Sequence, residues 1–153
     1  LAGIDYCKSK TTKVPVAKGT VVCQVAEGDV HDIGKNLVAA LLRADGFNVV
    51  DLGRDVPVDD VVEAVEKHNP LMVTGTALMT TTMYSFKECN DKLVEKGLLV
   101  PFACGGGAVN QDFVSSYSLG VYGEEAADAP KIGNFILRNG SDIQKLRETF
   151  HTH

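Results

Sequence analysis

The sequence predicts an α/β fold of the flavodoxin or Rossmann-like type, with a five-stranded parallel sheet in the strand order 2-1-3-4-5. Apolar runs of strand length alternate with longer segments of helical period, which is typical of parallel strands joined by crossover helices. The apolar runs carry little polar alternation, as expected when helices cover both faces of a sheet. The 153 residues, 44% hydrophobic and 23% charged, suit one globular domain.

Five short apolar runs are predicted to form the strands. The first is rich in β-branched residues, which strands favour because these side chains pack well on a pleated surface. Glycine, proline or charged residues bound most of the runs and mark the turns. In chain order, the predicted strands are residues 20–26, 48–52, 71–75, 99–104 and 119–122.

The segments between these strands carry the end signals of helices. Gly46 ends the first, and Pro57 opens the second with acidic residues in its first turn, as expected for helix termini. A final helix is predicted in the tail, residues 141–153, with Ser141 as its cap. The apolar face of the first helix is predicted to comprise Ile33, Leu37, Leu41 and Leu42. The predicted helices before the tail are residues 34–44, a helix from Pro57, 80–96, 111–117 and 124–138.

Charge and cysteine content argue against several classes of protein. The net charge is −5 and no run of Lys and Arg stands out, so we expect no nucleic-acid partner. No apolar stretch approaches the ~20 residues that span a bilayer, and no signal-peptide pattern opens the sequence, so we expect a cytoplasmic protein without membrane contact. The four cysteines form no C-x-x-C pair, which argues against a zinc knuckle, and Cys23 and Cys104 are predicted to be buried.

Ligands of doubly wound sheets bind beyond the carboxyl ends of the strands at the switch point, which for this order lies between strands one and three. Two loops, residues 27–34 and 76–82, should therefore face each other. The first superficially resembles a phosphate-binding loop, but five residues separate Gly28 from the next glycine where a Walker loop has four, and Asn36 follows Lys35 where Ser or Thr is needed. Carboxylates in this loop would also repel an anion, which argues equally against an FMN phosphate site.

The loop after strand one carries an imidazole framed by carboxylates. In an extended loop Asp29 and His31 project to the same side, so Asp29 can hold one ring nitrogen and leave the other free for a metal. Two alternatives stay open: Asp29 caps the following helix while His31 faces water, or both join Asp32 in a simple divalent site that has too few ligands. A phospho-accepting receiver domain would need an Asp where this chain has Thr76 and Leu78.

Small residues follow strands three and four at the same edge of the predicted sheet. Gly75, Thr76 and Ala77 end the third strand, and residues 105–108 follow the fourth. Such residues leave a slot in which a ligand can approach the backbone closely, although a tight turn is the competing explanation.

Three separated motifs resemble the signature of B12-binding domains that hold a corrinoid in the base-off, His-on form. The motifs are Asp-x-His-x-x-Gly, Ser/Thr-x-Leu and Gly-Gly, and they occur in this order. The resemblance covers residues 19–138, and the longer strings in residues 26–36, 75–83 and 101–113 look like the methanol-specific corrinoid proteins of methylotrophic methanogens. The matching motif residues are Asp29, His31 and Gly34, then Thr76 and Leu78, then Gly105 and Gly106.

The resemblance implies that the cofactor is cobalamin or a related corrinoid, with His31 as the lower axial ligand of cobalt. The nucleotide tail of the corrinoid would enter the slot between strands one, three and four. A hydrogen-bond relay would run from His31 through Asp29 to Thr82 and couple proton uptake by the released imidazole to the state of the cobalt. The implied cofactor contacts are Asp29, Val30, His31, Asp32, Ile33, Gly34, Thr76, Leu78, Thr80, Thr82, Gly105, Gly106, Gly107 and Tyr122.

By resemblance, the chain is a methyl carrier whose cobalt cycles between Co(I) and methyl-Co(III). A partner methyltransferase would load the methyl group from methanol, and a coenzyme M methyltransferase would remove it. A reductive activation protein is the third implied partner. The chain has no candidate zinc site or general base for these steps, so we expect a carrier subunit rather than an independent enzyme. Alternatives are a corrinoid protein for methylamines or another donor, a mutase subunit, which would need a substrate barrel, and a B12-sensing regulator, which would need a DNA-binding helix.

The resemblance also predicts the domain organisation. Corrinoid proteins of this family carry an N-terminal helical cap, and residues 1–18 resemble only the end of its last helix and the linker. We therefore expect a truncated cap domain in residues 1–18 and the B12-binding domain in residues 19–153.

Overall fold

A computed structural model describes residues 18–151 and confirms the predicted sheet. The five strands are parallel and lie in the order β2-β1-β3-β4-β5. The central strand β1 pairs with β2 and β3, and its Val22 lies opposite Val50 and Val73. The strands are β1 Thr20–Val25, β2 Asn48–Asp51, β3 Met72–Thr76, β4 Phe102–Gly105 and β5 Gly120–Tyr122.

Helices cover both faces of the sheet and bury the alternating strand side chains. Val22 faces one apolar cluster, which α2, α3 and α4 complete, whereas Val21 and Cys23 face a second cluster built by α1, α5 and α6. The predicted burial of Cys23 and Cys104 is confirmed. The helices are α1 Ile33–Ala44, α2 Val58–His68, α3 Tyr84–Glu95, α4 Gln111–Ser115, α5 Asp128–Asn139 and α6 Ile143–Phe150.

The predicted apolar face of α1 is confirmed at Leu42 but wrong at Ile33 and Leu37. Val38, Ala39 and Leu42 face the sheet, whereas Ile33 and Leu37 are 82% and 52% exposed. The helix sequence contains two apolar stripes one residue apart, and the stripe with the smaller side chains packs on the sheet. The larger apolar residues Ile33 and Leu37 are left in solvent on the helix that follows the His31 loop.

Several predicted boundaries also shift. The helix predicted from residue 80 begins at Tyr84, because residues 80–83 form turns. The helix predicted from residue 124 begins at Asp128, whose carboxylate accepts the Glu125 N–H and holds a turn ahead of the helix. The cap of α6 is Asp142 rather than Ser141, since its Oδ1 accepts the N–H groups of Gln144 and Lys145.

The fourth strand is shorter than predicted and begins at Phe102. Pro101 precedes it, and proline has no N–H to give to a sheet ladder. The predicted cap remnant lies outside the described residues, apart from Lys18. Within residues 18–151, no helix is long and apolar enough to cross a membrane.

Candidate functional site

The buried carboxylate of Asp29 positions the His31 ring. Asp29 lies in the loop between β1 and α1 and is 0% exposed, whereas the His31 side chain is 49% exposed. The Asp29 Oδ1 atom accepts the His31 backbone N–H at 3.0 Å and lies 2.7 Å from His31 Nδ1. An ionised Asp29 therefore selects the ring form with the proton on Nδ1, which leaves Nε2 with a free lone pair.

The second oxygen of Asp29 joins this loop to the loop after β3. Oδ2 accepts the backbone N–H of Leu78 at 2.9 Å and that of Met79 at 3.2 Å. The Thr82 hydroxyl lies 3.0 Å from Oδ2 and 2.9 Å from the Met79 carbonyl oxygen, so its one proton can go to either acceptor. The two loops face each other as predicted.

The helix-capping alternative for Asp29 is wrong, because α1 receives no side-chain hydrogen bond at its N-cap. The simple divalent site also lacks support, since the described residues contain no group of three or more His, Cys, Asp and Glu able to hold a metal ion. The residue at the N-cap position is Asp32, not Asp29. A metal bound here would therefore take one protein ligand, His31, and bring its other ligands with it.

Asp29 is held in its ionised form by hydrogen bonds. Burial opposes ionisation, but the N–H groups of His31 and Leu78, the His31 ring and the Thr82 hydroxyl donate to the carboxylate and outweigh that effect. Together they lower the pKa of Asp29 from 3.8 to about 2. The carboxylate is thus a fixed negative charge beneath the imidazole near neutral pH.

A second carboxylate, that of Asp55 after β2, also stabilises the His31 loop. Asp55 Oδ1 accepts the Gly28 N–H at 2.7 Å, and the Asp55 N–H donates to the Asp29 carbonyl oxygen at 2.9 Å. Asp55 adopts a left-handed conformation with φ of 51°, which asparagine and aspartate tolerate better than most residues. Sequence reasoning missed Asp55, since it lies 24 residues beyond His31 and belongs to no motif.

A slot of about 410 Å³ opens beside this loop, within the size range of small-molecule and cofactor sites. Its floor is formed by β3 and β4 and its walls by α1 and α5. The prediction that the slot reaches strand one is wrong, since β1 contributes none of its lining residues. Of the predicted cofactor contacts, those that line the slot are Gly34, Thr76, Gly105, Gly106, Gly107 and Tyr122.

The other predicted contacts lie outside the slot. Val30, Ile33 and Leu78 are exposed apolar side chains near His31, at 55%, 82% and 50%. They form an apolar surface on which a flat hydrophobic ring system could rest. Thr80 is exposed, and Asp32 is partly exposed.

The glycines at the site serve two different purposes. A Cβ on Gly106, which has a φ of 116°, would collide with the Ala77 backbone, and one on Gly105 would collide with the Gly123 carbonyl oxygen. These two glycines therefore let neighbouring loops pack closely, which is neither the ligand slot nor the tight turn that the sequence suggested for the run. Gly34 differs, because a Cβ there would meet no atom within 4 Å. Its missing side chain leaves room in the slot wall.

Two buried hydroxyls on the slot floor have no hydrogen-bond partner of nitrogen or oxygen. They belong to Thr74 and Thr76, which both line the slot. A buried hydroxyl without a partner is costly, so these groups fit a ligand that brings its own polar atoms into the slot. The nucleotide tail of the corrinoid predicted from the sequence would bring such atoms, and the absence of a side chain at Gly34 would leave room for it.

The fold and the site define a parallel α/β domain in which a half-exposed imidazole, held by a buried carboxylate, lies beside a ligand slot. The family model for the B12 binding domain matches residues 19–131, and the chain belongs to this family. It is 68% identical over 153 residues to the methanol–corrinoid protein of Methanosarcina barkeri, and it spans 59% of that protein's length. The predicted resemblance to methanol-specific corrinoid proteins is thereby confirmed.

Two further comparisons agree. The crystal structure of the methanol:cobalamin methyltransferase complex of M. barkeri contains a chain that is 68% identical and superposes with a TM-score of 0.91, covering 99% of this chain and 58% of that one. A trimethylamine corrinoid protein of M. barkeri is 45% identical over 113 residues, which is 72% of this chain and 52% of that protein.

Proposed function

We propose that this chain is the corrinoid-holding part of a cytoplasmic methyl-carrier protein that receives methyl groups from methanol. The observation that carries the proposal is the pairing of His31 Nδ1 with the buried carboxylate of Asp29, 2.7 Å away, beside a slot with partnerless hydroxyls. A bound corrinoid would supply a cobalt centre that takes up a methyl group and gives it up again.

His31 would be the lower axial ligand, through Nε2. Among residues 18–151, no group hydrogen-bonds this nitrogen, and the ring is half exposed. Asp29 fixes the ring orientation and, by accepting the hydrogen bond from Nδ1–H, leaves the lone pair of Nε2 available to a metal. For His31 to occupy this position, the cofactor's own base must lie elsewhere, and the slot supports a base-off, His-on arrangement.

The same residues can store a proton. A ring not bound to the metal would be free to take a proton on Nε2, and the imidazolium would face the carboxylate of Asp29, whose Oδ1 lies 2.7 Å from Nδ1. Thr82 can change how strongly the Asp29 charge is stabilised, because its hydroxyl proton can point to Asp29 Oδ2 or to the Met79 carbonyl oxygen. Proton uptake and axial ligation would in this way be coupled at His31.

The proposed partners are inferred from the names of the similar proteins. A methanol-specific methyltransferase would load the carrier, since the 68% identical chain is found in a methanol:cobalamin methyltransferase complex. A coenzyme M methyltransferase and a reductive activation protein would complete the cycle. The main alternative is a methylamine donor, which the 45% identical trimethylamine relative supports less strongly.

Axial ligation by His31 is tested by electron paramagnetic resonance of the Co(II) corrinoid bound to the full chain. Labelling all histidines with nitrogen-15 should change the superhyperfine splitting from a triplet to a doublet. His31→Ala should abolish this splitting, whereas His68→Ala, at an exposed histidine on α2, should leave it intact. A splitting that persists unchanged in His31→Ala would refute the assignment.

The methyl donor is tested separately. Purified methyltransferases specific for methanol and for trimethylamine are each mixed with the corrinoid-loaded chain and their substrate, and methylation is followed by visible absorbance. We expect methylation with the methanol enzyme at a rate at least tenfold above that with the trimethylamine enzyme. The reverse order would favour the methylamine alternative.

A further inference from the structure

Thr74, which none of the three motifs includes, lies on the floor of the slot. It precedes Thr76 by two residues on β3, so both side chains point to the same face of the sheet, and Thr74 lies roughly 7 Å further from the His31 edge. Thr74 is 3% exposed, and no nitrogen or oxygen atom partners its hydroxyl. The Cys23 thiol opposite it on β1 is a weak hydrogen-bond partner.

The slot around Thr74 is apolar. Val38 contributes from α1, Ala129 and Ile132 contribute from α5, and Ala103 lies opposite Thr74 in the β3–β4 register. Apolar walls suit a flat aromatic ring, and the Thr74 hydroxyl is the polar group that such a ring would meet at the floor of this part of the slot. A ring edge without a hydrogen-bonding atom would leave that buried hydroxyl with only the weak Cys23 thiol as a partner.

We propose that Thr74 selects the base at the end of the corrinoid tail, favouring a base whose inner edge carries a hydrogen-bonding nitrogen or oxygen over one edged with methyl groups. The inference rests on the proposed function, in which the tail occupies the slot. Discrimination arises because a site with a buried hydrogen-bonding group rejects ligands that leave the group unsatisfied. Thr74 is a specificity-determining residue for the cofactor, separate from the His31 relay.

The test measures dissociation constants by absorbance titration of the full chain with four corrinoids. They carry adenine, benzimidazole or dimethylbenzimidazole as the base, or no base in the case of cobinamide. The wild type should bind the adenine form roughly tenfold more tightly than the dimethylbenzimidazole form, which is what one satisfied buried hydrogen bond supplies. The unsubstituted benzimidazole controls for the size of the methyl groups, and its affinity should lie near that of the dimethyl form.

Two variants distinguish a specific role of Thr74 in recognising the base from a merely structural role. Thr74→Val keeps the side-chain shape but lacks the hydroxyl, and should abolish the tenfold preference. Thr74→Ser keeps the hydroxyl and should retain it. Cobinamide should bind all three proteins within about twofold, because it brings no base to the slot, and this also verifies that each variant is folded.

The possible results have distinct meanings. A wild type without preference among the bases, or a Thr74→Val variant that keeps the preference, would overturn the role of Thr74 and leave the proposed carrier function standing. Equal weakening of all four ligands in Thr74→Val would overturn it as well, since it would show a structural role. If cobinamide binds the wild type as tightly as the tailed corrinoids, the tail does not use the slot, and the base-off arrangement of the proposed function fails too.

Discussion

Asp29 and Thr82 lie 53 positions apart in the sequence, yet the Thr82 hydroxyl contacts the Asp29 carboxylate at 3.0 Å in the protein interior. This contact closes a connection from the exposed His31 ring through a buried charge to the turn ahead of α3. The loops after β1 and β3, which flank the switch point of the sheet, are thus held together by one carboxylate. Any change in the charge of Asp29 therefore alters hydrogen bonds to both loops.

Removing the Thr82 hydroxyl should alter how Asp29 positions His31 and should lower the stability of the fold only modestly. Thr82→Val removes one of the hydrogen bonds to Asp29 Oδ2 and leaves the Leu78 and Met79 N–H groups in place, so we expect a loss of about 1–2 kcal/mol in unfolding free energy. We also expect the fraction of bound Co(II) corrinoid that His31 ligates at pH 7 to differ from that of the wild type, as read from the visible spectrum. Thr82→Ser should preserve the wild-type fraction, and an unchanged fraction in Thr82→Val would exclude Thr82 from the relay.

The depressed pKa of Asp29 should make the domain sensitive to acid. The folded pKa of about 2 lies below the value of 3.8 for the free group, so the stabilisation is fully present above pH 3.8 and is lost as the pH falls through 2. The shift corresponds to about 2 kcal/mol. Urea unfolding between pH 5 and pH 2 should reveal this loss.

Two carboxamide variants serve as controls for the acid sensitivity. In Asp29→Asn the contribution of this carboxylate to the pH slope should vanish, because the charge is gone. Asp32→Asn, in the same loop but at the partly exposed N-cap of α1, should keep the wild-type slope. Equal slopes in all three proteins would contradict the assignment.

The sheet order could be predicted from sequence because apolar runs define the strands, and the switch point that follows from this order places the loops of residues 27–34 and 76–82 opposite each other. The roles of His31, Asp29 and Thr82, by contrast, came from the resemblance to a known motif. The face of α1 could not be predicted, since two apolar stripes compete. Lys35 on α1 is buried and reaches Asp51 on β2 at 2.8 Å, a tertiary contact that no local signal indicates.

Sequence reasoning identified Thr76 and Gly105 at the slot but missed Thr74. Thr74 lies within a strand and has no motif around it, so only the alternation of β3 relative to Thr76 could have pointed to it. The glycine run after β4 was ambiguous because a ligand and a neighbouring loop require the same absence of a side chain. Only the position of Ala77 against Gly106 distinguishes the two explanations.

Alanine at the two kinds of glycine should have opposite effects on stability. Gly34→Ala lies in the first turn of α1 with no atom near its new Cβ, so unfolding free energy should rise by up to about 1 kcal/mol. At position 106, alanine would have to adopt a positive φ and its Cβ would collide with Ala77. Gly106→Ala should therefore lower the unfolding free energy by at least about 2 kcal/mol. Chemical denaturation measures both values.

Gly34→Ala should also weaken the binding of the corrinoid. Gly34→Ala places a methyl group in the slot wall, so we expect its affinity for cobalamin to fall several-fold although the protein is more stable. A Gly34→Ala variant that binds cobalamin as tightly as the wild type would show that the slot is not where the tail lies.

The C-terminal helix should loosen as the pH falls. His151 Nε2 accepts the Tyr122 backbone N–H at 2.9 Å on the edge strand β5, and the Ser115 hydroxyl lies 3.3 Å from Nδ1. Burial and the nearby positive charge of Arg147, which itself binds the carbonyl oxygens of Gly120 and Tyr117, lower the pKa of His151 below 6.5. The neutral ring can accept the Tyr122 N–H, whereas a protonated ring has no lone pair to do so.

The direction of the pH effect follows from this shift. Because the folded pKa lies below the unfolded value, the stabilisation is fully present above pH 6.5 and is lost as the pH falls through the folded pKa. Hydrogen exchange of the Tyr122 amide should therefore lose protection on acidification, after correction for the intrinsic exchange rate. His151→Phe should show low protection at every pH, and His68→Gln should behave as the wild type. Since Tyr122 lines the slot, the same acidification should weaken cobalamin binding in the wild type more than in His151→Phe.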